Sequence, residues 1–188
     1  VCPALAAAQD PIPAHSDVYV SGKDGYVAYR IPAIETAPDG SLLAFAEARK
    51  YNLGDPGMDK NDIDLVLKRS TDNGRTWSAM KIVEDPGERW SAGNPATMVD
   101  RQTKRVWVHY IRCKPGCNTG SARPGTDDVQ NLIRWSDDNG VTWSEPGEFE
   151  TLQAAMPWYM VVGILVGILL LFIVPFMIGG FVARGLRM

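Results

Sequence analysis

One pattern of eight residues occurs twice in this chain and constrains its fold more than any other feature. The first copy, Ser70 to Trp77, reads STDNGRTW, and the second, Ser136 to Trp143, reads SDDNGVTW, 66 residues later. Both contain Asn-Gly, which favours a type I′ hairpin turn because both central residues need a positive φ. An aspartate can bond the turn amides, and a tryptophan can anchor the hairpin in a core. We therefore assign to folding, rather than to chemistry, the residues Ser70, Asp72, Gly74, Thr76, Trp77, Ser136, Asp138, Gly140, Thr142 and Trp143.

Short β-strands are predicted on both sides of the first copy. Runs of branched and aromatic residues are bounded by Gly, Pro, Asn or Asp, and no stretch before Met156 keeps a helical apolar period. The predicted strands are 29–35, 41–48, 63–69, 80–83, 96–99, 105–111, 131–135 and about 148–152. Each copy of the repeat follows three strands, which predicts an all-β fold of two four-stranded units, like consecutive propeller blades. The stretch from Arg112 to Asp128 is predicted to be an insertion in the second unit.

The two ends of the chain differ from its middle. Residues 1–8 resemble the end of a secretory signal, the alternative being an alanine-rich disordered terminus. Trp158 to Ala183 is 26 residues without a charge, long enough to span a bilayer, although a buried core helix would also be apolar. We predict a propeller part at 9–155, a transmembrane helix at 156–183 and a cytoplasmic tail at 184–188. Arg184 and Arg187 then place the N-terminal part outside the cell, on the secretory route.

Charge and cysteine content exclude several functions. The formal charge of the whole chain is −3, and without Arg184 and Arg187 it is −5, which argues against nucleic-acid binding. The only histidines, His15 and His109, lie in no cluster of ligands, so no metal site is predicted. Cys113 and Cys117 bracket a Lys-Pro-Gly turn, and in an oxidising compartment we expect them to form a loop-closing disulfide.

Residues before the first repeat carry a resemblance to a known family. Tyr29-Arg30-Ile31-Pro32 is followed by Phe45-Ala46-Glu47-Ala48-Arg49, then by Gly54-Asp55-Pro56 and by Asp62 to Val66. In this order and spacing the segments resemble the N-terminal part of exo-α-sialidases, whose Asp-box (BNR) motif is similar to the repeat. The resemblance covers Tyr29 to Trp77 and extends more loosely to Leu152. It implies a six-bladed propeller, of which this sequence contains about two blades.

The resemblance also implies roles for four residues. Arg30 would belong to an arginine triad that grips the carboxylate of a sialoside, because a planar guanidinium can form paired hydrogen bonds. Arg49 would lie in the subsite for the hydroxyl and N-acyl groups of the sugar. Asp55 would be the acid that protonates the leaving oxygen and later activates water, with Asp59 as its competitor. Asn94 stands where many relatives have an aspartate, and its amide could bond a hydroxyl.

Asp62 and Asp64 alternate with apolar residues, and we interpret them as carboxylates at a strand edge. The expected substrates are terminal sialic acids of glycoproteins, glycolipids or oligosaccharides, and no cofactor is required by this chemistry.

The family's tyrosine nucleophile, its glutamate partner and two further arginines come from later blades, which this sequence does not contain. Three hypotheses therefore stay open: a sialidase completed by self-association, a membrane-anchored module that binds sialic acid without turnover, and an inactive remnant. The sequence gives no information on linkage preference or oligomeric state.

Overall fold

The structure is a computed structural model that describes residues 16–58, 60–118, 120–123 and 126–148. The described residues form eight strands and no helix. The strands are β1 (Ala28–Thr36), β2 (Leu42–Arg49), β3 (Ile63–Ser70), β4 (Lys81–Glu84), β5 (Ser91–Val99), β6 (Val106–Cys113), β7 (Val129–Ser136) and β8 (Gly147–Glu148). This confirms the predicted all-β fold.

The predictions for the two ends of the chain concern residues outside the described ranges. They are the signal remnant at 1–8, the transmembrane helix at 156–183 and the tail at 184–188. Within the part that the structure describes, no helix is long and apolar enough to cross a membrane.

The strands form two antiparallel units of four. In the first, β2 pairs with β1 and β3, and β4 pairs with β3. In the second, β6 pairs with β5 and β7, and β8 follows β7 in the sheet order. The units are joined by a parallel bridge between Ile63 of β3 and Ser91 of β5. Each unit has the up-and-down order of a propeller blade, and together they make one sheet of eight strands.

The first strand of each unit contains a bulge at a proline. The pairing of β1 shifts between Arg30 and Ala33, and that of β5 shifts between Gly93 and Ala96. The residue before each proline has a positive φ, 51° at Ile31 and 54° at Asn94. Proline cannot donate to the ladder, and positive φ is rare for a β-branched residue, so these are strained positions held by their surroundings. Bulges of this kind often lie beside active sites, where they redirect side chains.

The bulge also explains a wrong strand boundary. β5 begins at Ser91 rather than at the predicted residue 96. Gly93-Asn94-Pro95 interrupts the alternation of apolar side chains, so the sequence pattern hides the first half of the strand. The remaining strands agree with the prediction to within two residues wherever the structure describes them.

Apolar side chains from both units form the main core. β2 contributes Leu43 and Phe45, and β6 contributes Val108 and Tyr110, all four without exposed surface. Trp143, the tryptophan of the second Asp-box, meets the ring of Phe45 edge-on with 5.6 Å between centroids. Removing these apolar side chains from water is the main stabilising contribution to such a fold.

The two Asp-boxes are built alike. In the first, Ser70 Oγ donates to Asp72 Oδ1 over 2.8 Å and accepts from Gly74 N over 2.8 Å, and Thr76 N donates to Asp72 over 2.9 Å. The same bonds recur in the second copy at 2.8, 2.8 and 2.7 Å. Bonds from the Thr76 hydroxyl and amide, and from Ser70, lower the pKa of Asp72 to about 2.

The turn itself differs from the two-residue hairpin suggested by Asn-Gly. The asparagine and glycine of each copy do have positive φ, as predicted. However, the first copy lies in a loop that runs from the end of β3 at Ser70 to the start of β4 at Lys81. The Asp and Ser side chains, rather than a tight turn, organise this longer loop.

Candidate functional site

Three of the predicted site residues meet where β2 ends. Arg30 lies on β1, Arg49 is the last residue of β2, and Asp55 lies in the loop before β3. Asp55 Oδ1 accepts from Arg30 Nη1 over 3.1 Å and from Arg49 Nη2 over 3.0 Å. A cavity of about 300 Å³ is lined by these three side chains together with Asn94 from the bulge in β5. The fold therefore brings all four predicted site residues to one cleft.

The side chains of the two arginines differ in their exposure to solvent. The side chain of Arg30 is 47% exposed and that of Asp55 is 61% exposed, whereas that of Arg49 has no exposed surface. An exposed ion pair such as Arg30–Asp55 contributes little stability, so an incoming anion can replace Asp55 at Arg30 at low cost. Arg30 and Asp55 are the charged side chains of the cleft that a ligand can reach directly.

Arg49 is held by a buried partner that sequence reasoning missed. Glu47, also without exposed surface, accepts from Arg49 Nε over 3.1 Å and from Nη2 over 2.5 Å. The other terminal nitrogen of Arg49 donates to the carbonyls of Leu53 and Gly54. With its donors engaged by protein acceptors, Arg49 positions the loop of Asp55. Glu47 could have been found from its spacing, because residues two apart on a strand share a face.

Glu47 also connects the site to the second unit. Its Oε1 accepts from the backbone amide of Asn94 over 2.9 Å. A Cβ on Gly93 would lie 2.5 Å from the same oxygen, so only glycine leaves room for this carboxylate. The carboxylate thus holds Arg49 with one oxygen and the strained bulge of β5 with the other. The side chain of Asn94 stays exposed in the cleft.

A tight turn fixes the position of Asp55. Met58 N donates to Asp55 O over 2.9 Å, with Pro56 and Gly57 between them and a φ of 76° at Gly57. Pro followed by a residue of positive φ is the pattern of a type II turn. A Cβ on Gly57 would lie 1.7 Å from the carbonyl oxygen of Cys117, so the turn packs directly against the backbone that follows β6.

Asn61 is a second residue of the site that the sequence did not reveal. It is 1% exposed, and its Nδ2 donates to the carbonyls of Asn52 and Gly54 over 3.2 and 2.8 Å. Asn52 in turn accepts from Gly54 N over 2.7 Å. These bonds and those of Arg49 make the loop before Asp55 a fixed element. Asp59, the predicted competitor of Asp55, lies outside the described residues.

Asp62 and Asp64 are not edge carboxylates, which corrects the prediction. They are 1% and 2% exposed; Asp62 directly precedes β3, and Asp64 is the second residue of that strand and pairs with Ala48 of β2. Asp62 Oδ2 accepts from Arg89 N over 2.9 Å, and Asp64 accepts from the hydroxyl of Tyr26. Asp64 Oδ1 is buried without a hydrogen-bond partner in the described part of the chain. Burial raises the pKa of Asp64 to about 6, despite the bond from Tyr26.

Cys113 and Cys117 are free thiols in this structure, so the predicted disulfide is not formed in it. The backbone closes the turn instead, with a 3.0 Å bond from Cys117 N to Lys114 O. Burial, followed by the neighbouring Cys117 and Glu47, raises the pKa of the Cys113 thiol to about 11. A disulfide under oxidising conditions stays a prediction. Among the described residues, no group of three His, Cys, Asp or Glu side chains could hold a metal ion.

Known proteins similar to this chain include sialidases, and a family model also matches it. Residues 40–167 match the model of the BNR repeat-like domain. The chain is 34% identical over 158 residues to a sialidase of Micromonospora viridifaciens, covering 76% of this chain and 24% of that protein. It is 32% identical to a sialidase of Bacteroides fragilis, covering 74% of this chain and 27% of that one. The chain thus spans about a quarter of the length of these relatives.

A solved structure is similar as well. The Hadza microbial sialidase Hz136 superposes with a TM-score of 0.57 at 31% identity, over 68% of this chain and 27% of that one.

Proposed function

We propose, on the premise that this chain belongs to the family of sialidases with BNR repeat-like domains, that its cleft binds the terminal sialic acid of a glycoconjugate for hydrolysis. One observation carries the proposal. An exposed guanidinium and an exposed carboxyl group, Arg30 and Asp55, lie 3.1 Å apart at the mouth of one cleft. They are two of the groups that cleavage of an anionic sugar needs, a clamp for its carboxylate and an acid for its leaving oxygen.

The carboxylate of the sugar would bind Arg30. A guanidinium offers paired donors to a carboxylate, and the bond is stronger than one between neutral groups. Arg30 now donates to Asp55 Oδ1, and the substrate would take that place. Asn94 lines the same cavity, where its amide can bond a hydroxyl of the ring.

Asp55 would act as the proton donor. The type II turn fixes its backbone, and the buried Arg49 holds its Oδ1, while the side chain as a whole is 61% exposed. In the first half of the reaction the protonated carboxyl group gives its proton to the glycosidic oxygen, and the bond from that oxygen to the anomeric carbon breaks. In the second half the carboxylate takes a proton from the water that releases the sugar.

Sialidases use a tyrosine as the nucleophile, and we assign none among the described residues. The cleft supplies the clamp and the acid, and turnover needs the nucleophile from a further blade. The curated relatives are three to four times longer than the matched part. A module that binds sialosides without cleaving them is the alternative, and one assay separates the two.

The assay is the hydrolysis of a fluorogenic sialoside by the full chain in detergent. Where self-association completes the site, Arg30→Ala and Asp55→Asn should each lower the turnover by about a hundredfold or more. Arg101→Ala is the control: Arg101 is an exposed arginine in a turn outside the cleft, and its removal should leave the rate unchanged. Binding that depends on Arg30 without any turnover would identify the binding module. A folded chain that neither binds nor cleaves sialosides would refute the proposal.

A further inference from the structure

We infer that Leu53 and Met58 form the subsite for the leaving group of the sialoside, and that this subsite favours leaving groups with an apolar surface. The inference rests on the proposed function and adds to it a determinant of which sialosides are chosen. Two neighbouring cavities share part of their lining.

Asp55 lies between these cavities. The first is the cleft of about 300 Å³ that contains Arg30 and Asn94. The second is an open depression of about 550 Å³, lined by Asn52, Leu53, Gly54, Asp55 and Met58. Asp55 and Met58 line both. An acid that protonates the leaving oxygen has to stand between the sugar and the group that departs, so a sugar in the first cavity directs its leaving group into the second.

The two cavities differ in chemistry. The first presents the guanidinium groups of Arg30 and Arg49, which suit the carboxylate of the sugar. The second has no charged group in its lining other than Asp55. Its two large side chains are apolar and unusually open to solvent, with Leu53 63% and Met58 43% exposed. A flexible thioether next to a leucine can cover flat apolar surfaces of different shapes.

The exposure of Leu53 does not result from a loose loop. Its carbonyl accepts from Arg49 and from Arg30 Nη1, the latter over 3.4 Å. Met58 is the last residue of the turn that starts at Asp55, and its amide and carbonyl are both bonded within the loop. Single exposed apolar residues are common on proteins. Here two of them lie in the loop that positions the acid, and both line the second cavity.

The expected effect is a change in preference among leaving groups. A contact of a few methylene groups in such a pocket discriminates by about tenfold. The full chain should therefore bind an aryl α-sialoside about tenfold more tightly than methyl α-sialoside, which carries the same sugar. Leu53→Asn and Met58→Gln keep the size of the side chain and should each reduce this ratio severalfold. Because Leu53 lines only the second cavity, Leu53→Asn should bind methyl α-sialoside within twofold of the unchanged chain.

The experiment is titration calorimetry with both sialosides on the full chain, the two variants and Val141→Asn. Val141 is 51% exposed in the second Asp-box, away from the cleft, and serves as the matched control. A ratio that falls in the two variants and not in the control supports the subsite. An unchanged ratio, or equal binding of both sialosides by the unchanged chain, overturns the subsite and leaves the proposed function intact. Failure to bind either sialoside overturns both.

Discussion

Replacing Glu47 by Gln should destabilise the chain more than any other removal of one carboxylate charge from the cleft. Glu47 and Arg49 have no exposed side-chain surface, and Glu47 accepts two bonds from Arg49 and one from Asn94 N. Glutamine keeps one acceptor oxygen, so its NH₂ must face either the guanidinium or the amide, donor against donor. Removing one partner of a buried ion pair costs about 3–5 kcal/mol. Because one acceptor is retained, we expect about 3 kcal/mol.

The assay is urea unfolding followed by tryptophan fluorescence. With a slope of about 2 kcal/mol per molar urea, a loss of about 3 kcal/mol lowers the midpoint by about 1.5 M. Glu88→Gln is the matched control, because it makes the same chemical change on a side chain that is 63% exposed. A surface change of this kind should shift the free energy of unfolding by less than about 0.5 kcal/mol.

A double-mutant cycle tests the cause. In an Arg49→Met background the buried cation is absent, and Glu47→Gln should cost at least about 1 kcal/mol less than in the unchanged chain. Equal costs in the two backgrounds would refute the ion pair as the source of the effect. Equal midpoints for the unchanged chain and Glu47→Gln would refute the whole argument about burial.

Two further predictions concern stability. Burial raises the pKa of Asp64 in the folded chain to about 6. The group therefore adds its full amount to the free energy of unfolding below its ordinary pKa, and this stabilisation is lost as the pH rises through the folded pKa. From pH 5 to pH 7 the loss is about 1 kcal/mol, and urea midpoints at the two pH values should differ less in Asp64→Asn. Gly57→Ala places a Cβ 1.7 Å from Cys117 O and should cost about 2 kcal/mol or more. Gly116→Ala, with a similar φ and open space, should cost only about 1 kcal/mol in the same urea titration.

Much of the fold could be predicted because its signals are local. The Asp-box copies carry their own hydrogen bonds, and strands such as β3 and β6 are rich in apolar and branched residues. The first half of β5 could not be predicted, because Gly93-Asn94-Pro95 reads as a turn and becomes a bulge only when β6 pairs with both sides of it. The insertion before β7 was predicted from its turn residues.

The site was predicted in part, and the division has a physical reason. Arg30, Asp55 and Asn94 are exposed groups that motif resemblance can identify, and the structure places them around one cavity. Glu47 bonds the backbone of Asn94, 47 residues away, and Asn61 bonds backbone carbonyls of the loop before Asp55. These partners depend on how the chain folds. Because β2 is buried on both faces, alternation does not mark Glu47, and only its spacing of two from Arg49 points to it.

Titration calorimetry of methyl α-sialoside against the full chain tests the central claim most directly. The account predicts binding that Arg30→Ala abolishes, that Asp55→Asn retains, and that Arg101→Ala leaves unchanged, because Arg30 clamps the carboxylate while Asp55 acts on the leaving group. Equal binding by the unchanged chain and Arg30→Ala, or no binding by a chain that unfolds cooperatively in urea, would contradict it.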